Sequence, residues 1–446
     1  MGVIGGHAVV IGGSMGGMTA ARVLADRYGR VTVLDRDALP DGPADRKGVP
    51  QSGHSHALLI SGKMMLEQLF PGLSAELVAG GAVHFDPGND LLFHQMGALR
   101  TRFNSGKLGI SLTRAYLEYV VRGRVRGIGN VDIRERTTVS RVIGGPGRVT
   151  GVETDTGEVL RADLVVDATG RSAGRSDKWL ADLGCDSPET VTVKIDVGYT
   201  TKLLHRKAGE RMLDGGLLYL MSAVPPQDKR AAAVFAVEGD RWVVTLGGWH
   251  RSHSPVDPAG FRAYAENLPS PHVAELLGRC EPTEPGDARK FTYPQARRRY
   301  FEKVRRHPAG YVALGDAICS FNPLYGQGMT AGAMEAAALG RTLDRFGSAS
   351  PEMARAYYRA ASKIIATPWQ MATGGDFMYP ETEGPKPLGA DLLNRYVKRV
   401  MLASHVSADV HRVMLDMQHL LVPPTAVMRP ATVVRSLLAA GRSPAA

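Results

Sequence analysis

The sequence predicts an α/β protein in three parts. These are a Rossmann-like dinucleotide-binding domain, an interleaved antiparallel-sheet domain and a set of C-terminal helices. Three observations carry the prediction. An apolar strand runs into a glycine turn and a helix start at His7–Ala21, a second ends in Asp-Ala-Thr-Gly within Ala162–Arg171, and a third ends in Gly-Asp within Gly310–Met329. A chain of 446 residues, 44% of them hydrophobic, can bury a core of the size such an architecture needs.

The first element is the strand Val9-Val10-Ile11, a continuous apolar triplet suited to a parallel strand buried on both faces. Gly12, Ser14 and Gly17 occupy the three positions of a G-x-G-x-x-G fingerprint. Gly12 permits the sharp turn and Gly17 lets the helix lie close to the strand. The middle position must be small because the backbone there approaches a pyrophosphate at the helix N-terminus. Serine is small enough, although it departs from the pattern. Met18–Ala25 supplies an apolar helical face, and the strand Val31–Leu34 ends at Asp35, where a carboxylate can accept from an unphosphorylated adenosine ribose. The motif alone fits NAD as well as FAD.

The other two segments favour FAD. Val149–Val159 reads as a hairpin turning at Gly157, and the strand after it ends at Asp167-Ala-Thr-Gly170, a small-residue turn able to pass close to the dinucleotide. In the far segment Val312–Leu314 is the strand, and Asp316, after Gly315, can accept from ribityl hydroxyls. The loop Pro323–Met329, with Pro323, Gly326, Gly328 and Met329, can present backbone N–H groups to the pyrimidine edge of a flavin. Such donors stabilise negative charge on a reduced ring. Taken together, the pieces describe a Rossmann-like FAD-binding domain.

In this order the three motifs resemble the group A flavin-dependent monooxygenases, the class of para-hydroxybenzoate hydroxylases and squalene epoxidases. Arg46–His56 and Asn322–Met329 are similar to actinobacterial epoxidases that act on polyenes in polyether ionophore biosynthesis. The resemblance implies that Arg36, Arg46 and Arg114 touch FAD, with Met15, Val139, Asp167 and Gly170 on the cofactor side. It implies that reduced flavin meets oxygen to give a C4a-hydroperoxide, which epoxidises alkenes of a hydrophobic polyketide or terpenoid-like secondary metabolite without an obligatory side-chain base. The central turn lacks the Gly-Ala-Asp-Gly run of typical aromatic hydroxylases. The reductant is therefore either NAD(P)H acting directly or a separate flavin reductase.

Thr190–Leu204 alternates apolar and polar residues, as a half-buried antiparallel strand should, and further strands are expected at Leu217–Met221, Ala231–Val237 and Arg241–Leu246. This sheet should roof the flavin, with Trp249, Phe291, Tyr293, Phe321 and Tyr325 as candidate pocket aromatics. The expected FAD-binding domain comprises residues 1–80, 105–185 and 295–345. The substrate domain comprises 81–104 and 186–294, and the C-terminal helical region 346–446. His54 and His56 are read as structural hydrogen-bonding groups ahead of a helix His56–Phe70. Ala366–Pro387 reads as a long loop near the pocket, and Leu392–His419 as helix capping the substrate entrance.

Composition narrows the alternatives. The net charge is +10, from 54 basic and 44 acidic residues, but the basic residues are scattered and form no stripe with interleaved aromatics. Nucleic acid is therefore not the expected partner; an anionic cofactor or an acyl carrier protein suits the charge better. Three dispersed cysteines offer neither a disulfide framework nor a metal site, and with no signal-peptide pattern the expected setting is cytoplasmic. Membrane-surface contact by the C-terminal region is a lesser reading. No convincing acid–base pair shows in the sequence, which favours epoxidation over aromatic hydroxylation of a polyketide. A prenyl-lipid reductase, a non-catalytic FAD-binding protein and a flavin halogenase complete the alternatives; the four tryptophans show no halogenase Trp-x-Trp-x-x-Pro spacing.

Overall fold

The computed structural model describes residues 2–171 and 173–444; the outer ends of the expected domain ranges, 1 and 446, lie outside them. Strand β1 (Gly5–Ile11), helix α1 (Met15–Ala25) and strand β2 (Tyr28–Leu34) open the chain as its apolar pattern requires. β1 lies between Leu164–Asp167 and β2, all parallel, with Val9 opposite Val165 on one side and Thr32 on the other. Tyr311–Ala313 and Val131–Arg134 flank them in a five-stranded parallel sheet. Buried on both faces, its central strands carry the continuous Val/Ile/Leu runs of such a sheet.

The second layer is an eight-stranded sheet. It runs in the order Cys319–Ser320, Arg289–Arg299, Thr190–His205, Arg241–Gly248, Arg230–Val237, Leu218–Met221, Leu91–Gln95 and Ala98–Leu99. The expected strands are all present within a residue or two. Its pairs are antiparallel except Leu218–Met221 with Leu91–Gln95. Arg289–Arg299 continues past residue 294, and Cys319–Ser320 joins the edge, so this sheet takes strands from both sides of the expected boundary.

Three readings change. Ala366–Pro387 is not a long loop, because helix Pro351–Asp376 continues to Asp376 through Pro368. Its buried face, which includes Tyr358, Ile365, Trp369 and Ala372, compensates the hydrogen bond lost at proline, a cost of about 3 kcal/mol. Of Gly374 and Gly375, which read as loop punctuation, Gly375 has a packing role: a Cβ there would land on the Tyr325 hydroxyl. Leu392–His419 is two helices, Ala390–Ala403 and Ala408–Gln418, separated by a turn in which Ser407 caps the second. The expected helix His56–Phe70 forms only from Ile60 to Leu69.

Helix Gly328–Phe346 packs against α1 and Pro351–Asp376 along a stripe of small residues. It carries one buried charge, Glu335, whose Oε2 accepts from the Gly315 amide at 2.8 Å. Burial pushes this carboxyl up to about 8, with Asp316 adding to the effect and the Gly315 amide opposing it. Because the folded value lies above the ordinary one, the benefit of holding Glu335 neutral is complete at low pH and is lost as pH rises toward 8. Glu335→Gln should therefore widen its thermal-stability advantage over the parent protein between pH 5 and pH 9, by at least about 2 °C in Tm. Parallel Tm-versus-pH curves would refute the assignment.

Candidate cofactor and substrate site

At the end of β1 the chain turns through Gly12, with φ of +108°, a value that favours glycine. A Cβ at Gly17 would fall on the Gly12 carbonyl oxygen, so glycine sets the close approach of α1 to the strand. Ser14 is the N-cap of α1 but does not cap it; its Oγ donates to Glu118 Oε2 at 3.1 Å. With no acidic residue in the first turn, the leading amides at Met15, Gly16 and Gly17 remain available to an anion.

The far segment meets this turn: a Cβ at Gly16 would stand 3.2 Å from Leu314 Cδ2. Gly315 takes φ of +67°, and Asp316 lies beside the start of helix Gly328–Phe346. Burial raises the Asp316 carboxyl, while Arg171, Arg114 and Arg297 pull it down. Asn322 Oδ1 accepts from the Leu324 amide at 3.1 Å and so shapes the Pro323–Tyr325 turn, which ends at left-handed Gly326. Gly328 and Met329 begin a helix whose N-terminus also lacks a side-chain cap.

A dense ion cluster stands beside the first turn. Arg46 bridges Asp35 at 3.1 Å, Asp37 at 2.9 Å and Glu118 at 2.7 Å, all well buried. Burial opposes the Arg46 charge, but Glu118 and Asp35 outweigh it and hold the guanidinium above its usual range. Asp35 also accepts from the Gly13 amide at 2.7 Å. Arg114 donates to Ser14 Oγ at 2.8 Å and to Glu118 at 3.3 Å, leaving its buried Nε without a partner among the described residues. The sequence reading missed Glu118, although it lies one helical turn beyond Arg114.

Other expected cofactor residues are placed differently. Arg36 is exposed and pairs with no described residue. Val139 is a buried core side chain opposite Thr154. Gly170 has φ of +71° at the central turn. Asp167 stands at the end of the strand that leads into this turn. Its carboxylate accepts from the Thr169 amide and hydroxyl, from Ser176 Oγ and from Tyr311 Oη, so it braces the turn and has no free acceptor to offer.

The residues present fit a dinucleotide. They provide a glycine cradle with no room for a Cβ, two uncapped helix N-termini, an orphaned buried Arg114 Nε and an Asp316 carboxyl facing the same space. Next to the Pro323–Gln327 loop lies an apolar cavity of about 510 Å³. Its walls include Phe85 of a separate two-stranded sheet, Leu218 and Phe235 of the large sheet, Met371 of the long helix, and Val397 and Met414 of the C-terminal helices. Those helices thus close one side of the cavity.

Of the five expected pocket aromatics, Trp249 and Tyr325 line this cavity. Phe291, Tyr293 and Phe321 do not. Phe291 packs behind Tyr199 at 5.5 Å, Tyr293 is buried with its hydroxyl 2.6 Å from Ser320 Oγ, and Phe321 belongs to the core. His54 Nδ1 lies 2.7 Å from Thr201 Oγ1, and His56 Nδ1 lies 2.9 Å from the His54 carbonyl. Burial lowers both to about 4, which leaves them neutral in the structural role expected of them. The sequence reading also missed Asp376. This buried carboxyl takes hydrogen bonds from Trp249 and Asn322, both at 2.8 Å, directly behind the cavity wall.

A mycobacterial protein resolves the kinship. The chain is 33% identical over 396 residues to Protein Rv3254 of Mycobacterium tuberculosis, covering 84% of this chain and 80% of that one. The chain belongs to the Rv3254 family. No family model matches it. Among solved structures it is similar to a flavoprotein/dehydrogenase of Cytophaga hutchinsonii, with a TM-score of 0.67, 15% identity and 98% of both chains covered. It is also similar to PqsL of Pseudomonas aeruginosa, titled a probable FAD-dependent monooxygenase. There the TM-score is 0.60 at 20% identity, covering 84% of this chain and 97% of PqsL. The fold is that of the flavoprotein monooxygenases, with its Rossmann-like FAD-binding part. Among the described residues no helix is long and apolar enough to cross a membrane, and no group of three or more metal-ligating side chains occurs.

Two substitutions separate the roles in this cluster. Arg114→Ala should weaken FAD binding about 10- to 100-fold, the loss of one charge-assisted contact, read by fluorescence titration of the apoprotein. Arg46→Ala should instead cost about 3–5 kcal/mol of stability, because three buried carboxylates lose their shared cation; a denaturant midpoint unchanged from the parent would contradict that.

Proposed function

We propose that this chain is an FAD-dependent monooxygenase acting on a hydrophobic small molecule. One observation carries the reading: the apolar cavity shares its Pro323–Gln327 wall with the cleft that fits the dinucleotide. Bound FAD would supply oxygen activation and an electrophilic oxygen atom. The chain's own residues do the rest. The first-turn amides of α1 and Arg114 would hold the pyrophosphate, Asp316 would accept from the ribityl chain, and the amides at Gly328 and Met329 would favour negative charge on the reduced ring. The proposed cofactor set is Gly12, Ser14, Met15, Gly17, Asp35, Arg36, Arg46, Arg114, Val139, Asp167, Gly170, Gly315, Asp316, Pro323, Gly326, Gly328 and Met329, the Asp167 side chain also bracing its own turn.

The cavity walls exclude water and hold the acceptor. The volume and the apolar lining, rich in methionine at Met96, Met221, Met371, Met378, Met401 and Met414, suit a polyketide- or terpenoid-sized molecule. Epoxidation of an alkene requires nothing more of the wall. Aromatic hydroxylation is the second reading, and the Asp376–Tyr325 contact specifically favours it. The reductant we propose is NAD(P)H, acting directly or through a separate flavin reductase, with an acyl carrier protein as a candidate substrate carrier.

Purified protein should be yellow, with oxidised-flavin bands at about 370 and 450 nm, and should consume O2 when supplied with reductant. A colourless preparation that cannot be reconstituted with FAD, or a flavin that turns over without oxygen uptake, would defeat this proposal.

A further inference from the structure

Helix Pro351–Asp376 ends against the substrate cavity, and its last residue is fully buried. Asp376 Oδ1 accepts from Trp249 Nε1 at 2.8 Å, from Asn322 Nδ2 at 2.8 Å and from Tyr325 Oη at 3.4 Å. Its Oδ2, equally buried, has no partner among the described residues. The Trp249 and Tyr325 side chains both line the cavity. Asp376 therefore stands one residue behind the wall, and Tyr325 connects it to the cavity.

The preceding glycine makes this connection sterically feasible. A Cβ at Gly375 would overlap the Tyr325 hydroxyl oxygen, so the bare backbone lets the phenol reach the helix end. Gly375 itself lines the cavity, which places the Tyr325 oxygen at the boundary between the cavity and the carboxyl. The titratable groups packed against Asp376 are Tyr325 and Tyr379, and among the described residues no cation contributes to its charge balance. The histidines of the cavity wall, His56 and His419, are held neutral by burial.

We propose that Tyr325 and Asp376 form a proton relay that ionises an acidic hydroxyl, a phenol or an enol, on the substrate held in this cavity. The substrate O–H bond breaks as its proton moves to Tyr325 Oη. The tyrosine proton moves in the same step to the Asp376 carboxylate, leaving a neutral acid and a substrate oxyanion. Net charge is conserved, because the negative charge passes from Asp376 to the substrate. The resulting phenolate or enolate carbon is more electron-rich toward an electrophilic oxygen. Burial pushes Asp376 up to about 7, opposed by its three donors, so the relay can both take and return a proton near neutral pH. Tyr325, whose own ionisation burial drives far upward, serves as the conduit and not as the base.

The assignment rests on the monooxygenase reading for its purpose, but proton transfer can be measured without turnover. The experiment adds 4-nitrophenol, whose anion alone absorbs strongly in the visible, to the flavin-loaded protein and records difference spectra across pH 5.5–8. The parent protein should bind the probe and ionise a larger fraction of it than the free probe shows between pH 7 and 8, where Asp376 carries its charge, and this excess should vanish below about pH 6, where the carboxyl is already neutral. Asp376→Asn and Tyr325→Phe should bind it with an ionised fraction at least tenfold lower. Gly375→Ala, which retains both polar groups and displaces the phenol oxygen, should lose the band likewise. Flavin content of each variant reports folding, and if one fails to hold flavin the other two decide. An anion band in the variants equal to the parent's, or no binding of 4-nitrophenol to the parent protein, would overturn the relay. Failure of the monooxygenase reading would appear separately, as absent flavin or absent oxygen uptake.

Discussion

Everything at this site depends on how the chain passes from one sheet to the other after Ala313. Tyr311–Ala313 is an edge strand of the parallel sheet, and Cys319–Ser320 is an edge strand of the antiparallel one. The few residues between them must turn sharply at the seam. Gly315, in the left-handed region, makes that turn, and Glu335 fixes it by accepting the Gly315 amide. Asp316 is thereby delivered to the space in front of α1, and Asn322–Gly326 to the wall shared with the cavity. Cofactor cleft and substrate cavity adjoin because a single short connection builds an edge of each.

The electrostatics follow the same economy. Arg46, Arg114, Asp35, Asp37 and Glu118 are buried together, and their charges largely cancel within the protein. Each would be costly alone, since desolvation of an unpaired ion exceeds what one hydrogen bond returns. Because the cluster is already compensated, it offers an anion little net positive charge. Attraction then comes largely from backbone amides, whose dipoles at the two uncapped helix ends need no counter-ion, with the unpartnered Arg114 Nε adding one charged donor. That division explains why Ser14 serves as well as glycine in the fingerprint: its hydroxyl is turned to Glu118 and leaves the first-turn amides free.

The parallel sheet and its turns were legible because their requirements are local. Gly12 and Gly17 are dictated by backbone geometry within six residues, and Val9–Ile11 by burial on both faces. The roof strands followed from alternation for the same reason. The pocket was only half legible. Trp249 and Tyr325 reach the cavity while Phe291 and Tyr293, on a neighbouring strand, face inward behind Tyr199 and Ser320. Which face of a strand meets a cavity is decided by the element packed across it, and that information is not local. The bracing role of the Asp167 side chain was not legible for a related reason, since its partners Ser176 and Tyr311 come from a following helix and a distant strand. Gly374-Gly375 was read as a loop because glycine in a helix interior costs about 1 kcal/mol; at Gly375 the close approach of Tyr325 leaves no room for a side chain.

Glu335 and Asp376 share a signal that could have been used. Each is the sole charged residue in a long apolar or small-residue stretch, between Asp316 and Arg341 in one case and between Lys363 and Glu381 in the other. A charge buried in such a stretch must find a partner or become neutral, so it marks a place where the fold has arranged something specific. The sequence cannot say which. Glu335 meets a backbone amide whose position it determines, and neither it nor Gly315 lines the cavity. Asp376 accepts from three side chains, two of which line the cavity, and keeps one oxygen without a partner. Two carboxyls raised by the same desolvation therefore do different work. One holds a turn in place, and the other lies where a proton can reach it from a bound molecule.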